Sequence, residues 1–306
     1  MKVITPDDIR SALQEVGVAR GQIVYMHVDL AKVGAVSGAK SKDSFCSAYL
    51  DAIRDVIGPE GTVVMPTYTT QVARFDIDFV WEETPTLLGL LPEYLRTRHE
   101  SLRSLHPLFS VTALGPAQKA ICANNSTTNY GWNSPFHRML EIGARVVTIG
   151  LPSGYLVGFA HQLEAMCGVP YVYNKLLKWA PIVNGKRVDK VFSATVRHLD
   201  LDIQYQLGRH VRNLRKTGNV QSTRLGDSWV HAADYTTNFN MAADQLATDP
   251  FYLLAKPPEF TQGKIPFDGI TAGRDGIASE KPDSKNWAGF YLYNAADPGG
   301  DEDDLM

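Results

Sequence analysis

In the stretch Gly158-Phe159-Ala160-His161-Gln162-Leu163-Glu164, a histidine and a glutamate stand three positions apart, just past the apolar run Val147-Thr148-Ile149-Gly150. On a helix, positions i and i+3 share a face, so His161 and Glu164 point the same way. A carboxylate beside an imidazole fixes its tautomer and stabilises the protonated ring, which makes the ring a usable general base near neutral pH. By itself His-x-x-Glu also describes an ordinary structural pair, so the chemistry has to be argued from its surroundings. Metal binding at the pair would need further ligands. Neither the other histidines nor the three scattered cysteines (Cys46, Cys122, Cys167) supply a ligand spacing, and no metal is expected.

Elements in alternation must position that pair. Thr5 to Val16 predicts a helix with Thr5 as N-cap, Pro6 at its first position and acids in the first turn. Gly21 to His27 and Gly61 to Pro66 are short apolar runs suited to buried strands, with a helix from about Lys42 to Ile57 between them. Leu87 to Arg98 suggests another helix, and Val111–Leu114 and Arg145–Gly150 further strands. Strands alternating with helices predict a layered α/β/α core with a mostly parallel sheet. Past Pro181 the texture changes. Asn184-Gly185 between apolar flanks signals a hairpin, and Phe192 to Leu201 alternates like a strand, which predicts a small antiparallel β/α portion over about 181–257. Helices are expected near 205–216 and 240–247. Residues 1–257 thus form the expected domain. Residues 258–306 form an extension with an acidic end, partly packed through Trp287, Phe290, Tyr291 and Tyr293.

The 306 residues, 44% hydrophobic with a net charge of -3, allow one large or two modest domains and give no global field for nucleic acid or an anionic membrane. The N-terminus lacks the apolar core of a signal peptide, and no membrane-spanning run exists. A cytoplasmic soluble protein is expected; a homodimer is compatible with the sequence.

Four segments carry a resemblance. They are Val24-Tyr25-Met26-His27-Val28-Asp29-Leu30 to Gly34 with Gly61–Thr67; Arg103-Ser104-Leu105-His106-Pro107-Leu108-Phe109-Ser110 to Pro116; Asn133-Ser134-Pro135-Phe136; and His161-Gln162-Leu163-Glu164 with Gly168-Val169-Pro170-Tyr171. In order and spacing, over roughly residues 5 to 255, the chain resembles the aminoglycoside 3-N-acetyltransferases, a family distinct from the common GNAT acetyltransferases. The resemblance implies an acyl-CoA-dependent N-acyltransferase, with acetyl-CoA or another acyl-CoA as donor. It assigns His161 and Glu164 to base catalysis. It places His27, Val28, Asp29, Leu30, Val33, Gly34, Arg103, Ser104, His106 and Ser110 toward coenzyme A. From residue types alone, His27, His106 and Ser110 read equally as satisfied core residues and Arg103 as a structural anchor. Asp29 departs from the small hydroxyl residue usual after the first histidine, and a carboxylate beside a polyphosphate is unfavourable.

The expected acceptor is an amino sugar. Asp76, Glu82 and Glu83 beside Trp81, with Tyr68 at the preceding strand end, suit a wall that attracts cationic amines; a solvated loop with an aromatic anchor fits the same residues. Ser134 is either an acceptor contact or a helix N-cap before Pro135. Arg209, Arg212, Arg215 and Lys216 form a basic stretch. With the added tail, it tilts the expected acceptor toward a nucleotide-linked amino sugar of surface-polysaccharide synthesis, ahead of an aminoglycoside. Two other classes stay open: a metal-dependent amino-sugar deacylase using His161 as ligand, and a non-catalytic coenzyme A-binding relative.

Overall fold

The computed structural model describes residues 2–198, 201 and 203–260. The extension from 261 onward, including Trp287 and the other aromatics expected to pack, lies outside these residues. The first half runs β1 (Val3–Ile4), α1 (Pro6–Glu15), β2 (Ile23–Val28), β3 (Ala35–Val36), α2 (Lys42–Ile57), β4 (Thr62–Pro66), α3 (Gln71–Arg74), α4 (Leu90–Arg96), β5 (Leu102–Arg103), β6 (Val111–Leu114), α5 (Gln118–Cys122), α6 (Pro135–Glu141) and β7 (Arg145–Ile149). The second half runs α7 (Ala160–Cys167), β8 (Val172–Leu177), β9 (Ile182–Val183), β10 (Lys186–Arg187), β11 (Phe192–Arg197), α8 (Gly208–Lys216), β12 (Val220–Leu225), β13 (Ser228–Asp234) and α9 (Tyr235–Leu246).

Local chemistry sets several of these boundaries. Thr5 Oγ1 accepts from the Asp8 amide at 3.2 Å while the Asp8 carboxylate accepts from the Thr5 amide at 2.7 Å. This reciprocal cap starts α1, with Pro6 in its first turn. Asn184 (φ 48°) and Gly185 (φ 71°) both occupy the left-handed region, as a two-residue hairpin turn with the twist of its strands requires.

The main sheet has seven strands in the order β12-β13-β7-β2-β4-β6-β5. The layered α/β architecture is the expected one, and its parallel character is confined to the centre: β2 lies parallel to both β4 and β7. The flanking neighbours are antiparallel because β6 and β5 fold back beside β4, and β13 and β12 fold back beside β7. The C-terminal antiparallel portion therefore divides. β12 and β13 extend the main sheet, while β8–β11 and β9–β10 form separate two-stranded ribbons. Side chains alternate across the sheet with period two. Val24, Met26, Val63, Met65, Val147 and Ile149 pack with Ile9 and Leu13 of α1 and Ile53 of α2 on one face. Tyr25, Val64 and Val146 pack with Phe136, Phe159 and Phe239 on the other.

Being parallel, β2, β4 and β7 end at one edge, at Val28, Pro66 and Ile149. In open α/β sheets, ligands bind off that edge. Gly150 turns the chain there with φ +75°, and a Cβ at this position would overlap the Asp29 carbonyl oxygen. The Asp29 loop and the segment leading to α7 can touch only because residue 150 is glycine. Gly158, one turn before α7, has an ordinary φ of -60°, yet its Cβ would overlap Nε2 of His27. In an open helix Gly→Ala stabilises; here Gly158→Ala should instead cost about 1–3 kcal/mol through overpacking, read as a lowered denaturant midpoint that His27→Ala partly restores. Among the described residues, no helix is long and apolar enough to cross a membrane.

Candidate active site

α7 presents His161 and Glu164 on one face, as their spacing predicts. His161 Nδ1 lies 2.7 Å from Glu164 Oε2, and the two side chains are 45% and 0% exposed. A carboxylate only accepts, so Nδ1 carries the proton and donates it. Among the described residues Nε2 has no hydrogen-bond partner, and its lone pair is free. The buried Tyr205 hydroxyl comes within 3.4 Å of Nδ1 and its ring meets the imidazole edge-on, 5.6 Å between centroids. Burial, with Glu164 nearby, pushes the Tyr205 and Tyr171 phenols up, so both stay protonated beside the carboxylate. α7 itself is anchored by Tyr235, whose hydroxyl donates to Gln162 Oε1 at 2.6 Å. A cavity of about 110 Å³ adjoins the pair, lined by Phe109, Tyr130, His161, Glu164, Thr195 and Arg197 with Val172 and Val196. Three of these groups, Tyr130, Arg197 and the neighbouring Tyr205, escaped the sequence reading, since no local spacing ties them to position 161.

A second cavity of about 760 Å³ lies where β2 ends, within the range of small-molecule sites. Val28, Asp29, Leu30 and Gly34 line it together with Ala35, Val36, Lys40, Ser41, Lys42, Phe45 and Leu88–Leu91. It opens on the first turn of α2, whose amides and dipole favour an anion. Lys40 and Lys42 add charge there, a contribution visible in the sequence only as lysines flanking a helix cap. Asp29 stands 3.6 Å from Lys32 Nζ, which offsets part of its charge. Val33 is buried in the core instead, and so is His27, whose pKa burial lowers to about 4.

The 103–110 segment is committed inward and lines neither cavity, Phe109 excepted. The Arg103 guanidinium donates to the carbonyls of Thr84 (2.7 Å), Thr67 (3.1 Å) and Trp81 (3.2 Å) and to Ser110 Oγ (2.9 Å). Burial lowers its pKa to about 9. Ser110 Oγ donates in turn to the Thr67 carbonyl at 2.8 Å, and Ser104 Oγ accepts from the Val111 amide at 2.9 Å. His106 Nδ1 accepts from the amides of Leu108 and Phe109 at 3.2 and 3.1 Å, so Nε2 carries the proton and donates to the Ser193 carbonyl at 3.0 Å. The expected contact of Arg103, Ser104, His106 and Ser110 with coenzyme A finds no support in this geometry. They tie strand ends, and β11 through Ser193, around the His161 cavity.

Burial lowers the His106 pKa from 6.5 to about 4. Between those values the unfolded chain binds a proton that the folded protein refuses, so stability falls as pH falls. At pH 5 the loss from His106 alone should be about 2 kcal/mol. Thermal melts between pH 7 and 5 check this, with a shallower slope expected for His106→Asn.

The acidic–aromatic loop is also occupied. Asp76 pairs with Lys178 at 2.8 Å and accepts from Trp179 Nε1 at 3.0 Å. Asp78 pairs with Arg187 at 2.8 Å, and Glu82 Oε1 accepts from the Asn184 amide at 2.8 Å. Trp81 Nε1 donates to the Arg103 carbonyl at 3.2 Å. These contacts dock the β9–β10 ribbon; Asp76, Glu82 and Glu83 of the expected wall all stay exposed, and among the described residues Glu83 is the one of the three whose side chain has no partner. Tyr68 is half-buried, its hydroxyl 3.2 Å from that of Tyr25. Ser134 caps α6, accepting from the His137 amide at 3.2 Å. Arg209 donates to the carbonyls of Tyr252 and Leu254, so it ties down the end of the described chain. Among the described residues no group of three or more His, Cys, Asp or Glu is placed to hold a metal ion.

A family model described as aminoglycoside 3-N-acetyltransferase matches residues 25–247, a span that contains both cavities and the His161–Glu164 pair. The chain belongs to this family. As an aminoglycoside 3-N-acetyltransferase family member it is an acyl-CoA-dependent N-acyltransferase, with a coenzyme A thioester as donor substrate. It is 28% identical over 208 residues to aminoglycoside N(3)-acetyltransferase VII of Streptomyces paromomycinus, covering 62% of this chain and 70% of that protein. It is 26% identical over 208 residues to the type IX enzyme of Micromonospora chalcea, at 62% and 72% coverage. Among solved structures, AAC-IIIb binary with CoASH superposes with a TM-score of 0.68 at 19% identity, covering 84% of this chain and 100% of that one. A variant of aminoglycoside acetyltransferase AAC(3)-IVa in complex with gentamicin superposes with a TM-score of 0.69 at 21% identity, covering 84% and 93%. These two extend the agreement in fold over both halves of this acetyltransferase.

Proposed function

We propose that the protein transfers an acetyl group from acetyl-CoA to a primary amine of an aminoglycoside or a closely related amino sugar, by direct attack with His161 as general base. The observation that carries this reading is the His161–Glu164 pair at 2.7 Å, with Nε2 free beside a cavity. The acceptor amine gives a proton to Nε2 as its nitrogen attacks the thioester carbonyl; Glu164 keeps Nδ1–H oriented throughout. Collapse of the tetrahedral intermediate breaks the C–S bond, and the proton held on Nε2 goes to the departing thiolate. An amine is already a competent nucleophile, so no acyl-enzyme is required. The larger cavity, with the α2 amino terminus, Lys40 and Lys42, suits the anionic part of coenzyme A.

The acceptor moves from a nucleotide-linked sugar to an aminoglycoside. The relatives reported above are named for aminoglycosides. The basic stretch behind the earlier preference is partly spent on anchoring, through Arg209. Incubation with acetyl-CoA and gentamicin or sisomicin tests this reading: the product should carry one acetyl group on an amine. Unmodified antibiotic across such a panel would remove the aminoglycoside from the proposal.

A further inference from the structure

Glu164 is wholly buried, yet only one of its two carboxylate oxygens is used. Oε2 accepts from His161 Nδ1 at 2.7 Å, while Oε1, among the described residues, has no hydrogen-bond partner. A buried carboxylate is costly unless its remaining lone pairs are also met. Two phenols flank it, and both are buried: Tyr171 at 0% and Tyr205 at 6% exposure.

The end of α7 brings the first of them into place. The amides of Gly168 and Val169 close on the Glu164 carbonyl at 3.0 and 3.3 Å, so the chain doubles back and Tyr171 returns beside the Glu164 carboxylate. Its ring stacks on Phe251, 6.1 Å between centroids. The Tyr171 hydroxyl also lacks a partner among the described residues, so an idle donor stands next to an idle acceptor. The Tyr205 hydroxyl lies 3.4 Å from His161 Nδ1. The Nδ1 proton is committed to Glu164, which leaves the same carboxylate as the acceptor for Tyr205. Burial keeps both phenols protonated, and therefore donors. Hydrogen bonds of a catalytic group are often long in the free enzyme and tighten once substrate is bound.

Resting on the acetyl-transfer reading above, we infer that Tyr171 and Tyr205 are positioning residues for the base: in the coenzyme A-loaded protein Tyr171 donates to Glu164 Oε1 and Tyr205 to Oε2, which holds the carboxylate against Nδ1 while the imidazolium forms. Their contribution runs through Glu164, so it appears in kcat rather than KM. Tyr171→Phe removes one oxygen and keeps the stacked ring. It should lower kcat about tenfold, the scale of one hydrogen bond to a charged group, with KM for acetyl-CoA and for the aminoglycoside unchanged. Tyr205→Phe should do the same. The deciding comparison uses a Glu164→Gln protein, whose acceptor is no longer charged. There each phenylalanine substitution should cost less than about threefold in kcat. An unchanged kcat, or an equal fall in the Glu164→Gln background, overturns the assignment. If the wild-type protein releases no thiol, the acetyl-transfer reading fails separately. Denaturant unfolding of the coenzyme A-loaded wild type, Tyr171→Phe, Glu164→Gln and the double variant then decides. A bonded hydroxyl makes Tyr171→Phe lower the folding equilibrium constant about tenfold, and less than about threefold in the Glu164→Gln background. An idle buried hydroxyl makes the same change neutral or stabilising; that result, or equal costs in both backgrounds, overturns the assignment.

Discussion

His161→Ala should lower turnover by roughly a hundredfold or more while coenzyme A still binds, because general-base help from a positioned imidazole is worth about that much. The side chain is 45% exposed and held through Nδ1 alone, so its removal empties space at the cavity wall without unpacking a core. Glu164→Gln should act in the same direction with a smaller effect. The amide can still bond Nδ1, but it no longer favours the imidazolium formed during attack, and it can present its NH₂ to the ring and hold the wrong tautomer. Steady-state thiol release together with calorimetric coenzyme A binding separates the two quantities. A His161→Ala protein with unchanged turnover would take the ring out of the mechanism.

Arg103→Ala should destabilise the fold by about 3–5 kcal/mol, the largest stability effect expected of a single substitution here. Four acceptors lose a charged donor: the carbonyls of Thr67, Trp81 and Thr84 and the hydroxyl of Ser110. Three of them lie in segments 19 to 36 residues away in sequence, so one guanidinium closes several loops at once. Lys at 103 places a single point donor where a planar fork is needed and should recover less than half of the loss. Denaturant midpoints check this. Had Arg103 been a phosphate clamp, its loss would leave the midpoint in place and weaken coenzyme A binding instead.

Arg103 also shows where sequence reasoning ran short. Arg, two Ser and a His within eight positions are the residue types a phosphate channel needs, and their spacing places them together. Which side of a strand they serve depends on carbonyls at Thr67, Trp81, Thr84 and Ser193, and no local pattern reports those. By contrast, the α1 start follows from Thr5, Pro6 and Asp8, the hairpin turn from Asn184-Gly185, and the His161–Glu164 contact from helical spacing. In each case the partners lie within a few residues of one another. The sheet falls between these cases. Apolar runs marked the central strands, but the antiparallel return of β13 beside β7 depends on pairing across some 80 residues, beyond the reach of periodicity. The two cavities likewise draw their walls from segments well separated in sequence. Position 28 meets residues 88–91 in the larger one, and positions 161 and 164 meet 109, 130 and 197 in the smaller. His161 was therefore legible, but Tyr130, Tyr205 and Arg197 were not.

The most direct test is thiol release from acetyl-CoA, followed with and without an aminoglycoside, in the wild-type protein and in His161→Ala. Release that requires the acceptor and nearly vanishes in the variant is the expected result. A stoichiometric burst of thiol without acceptor, or release equal in the two proteins, would contradict direct attack assisted by His161.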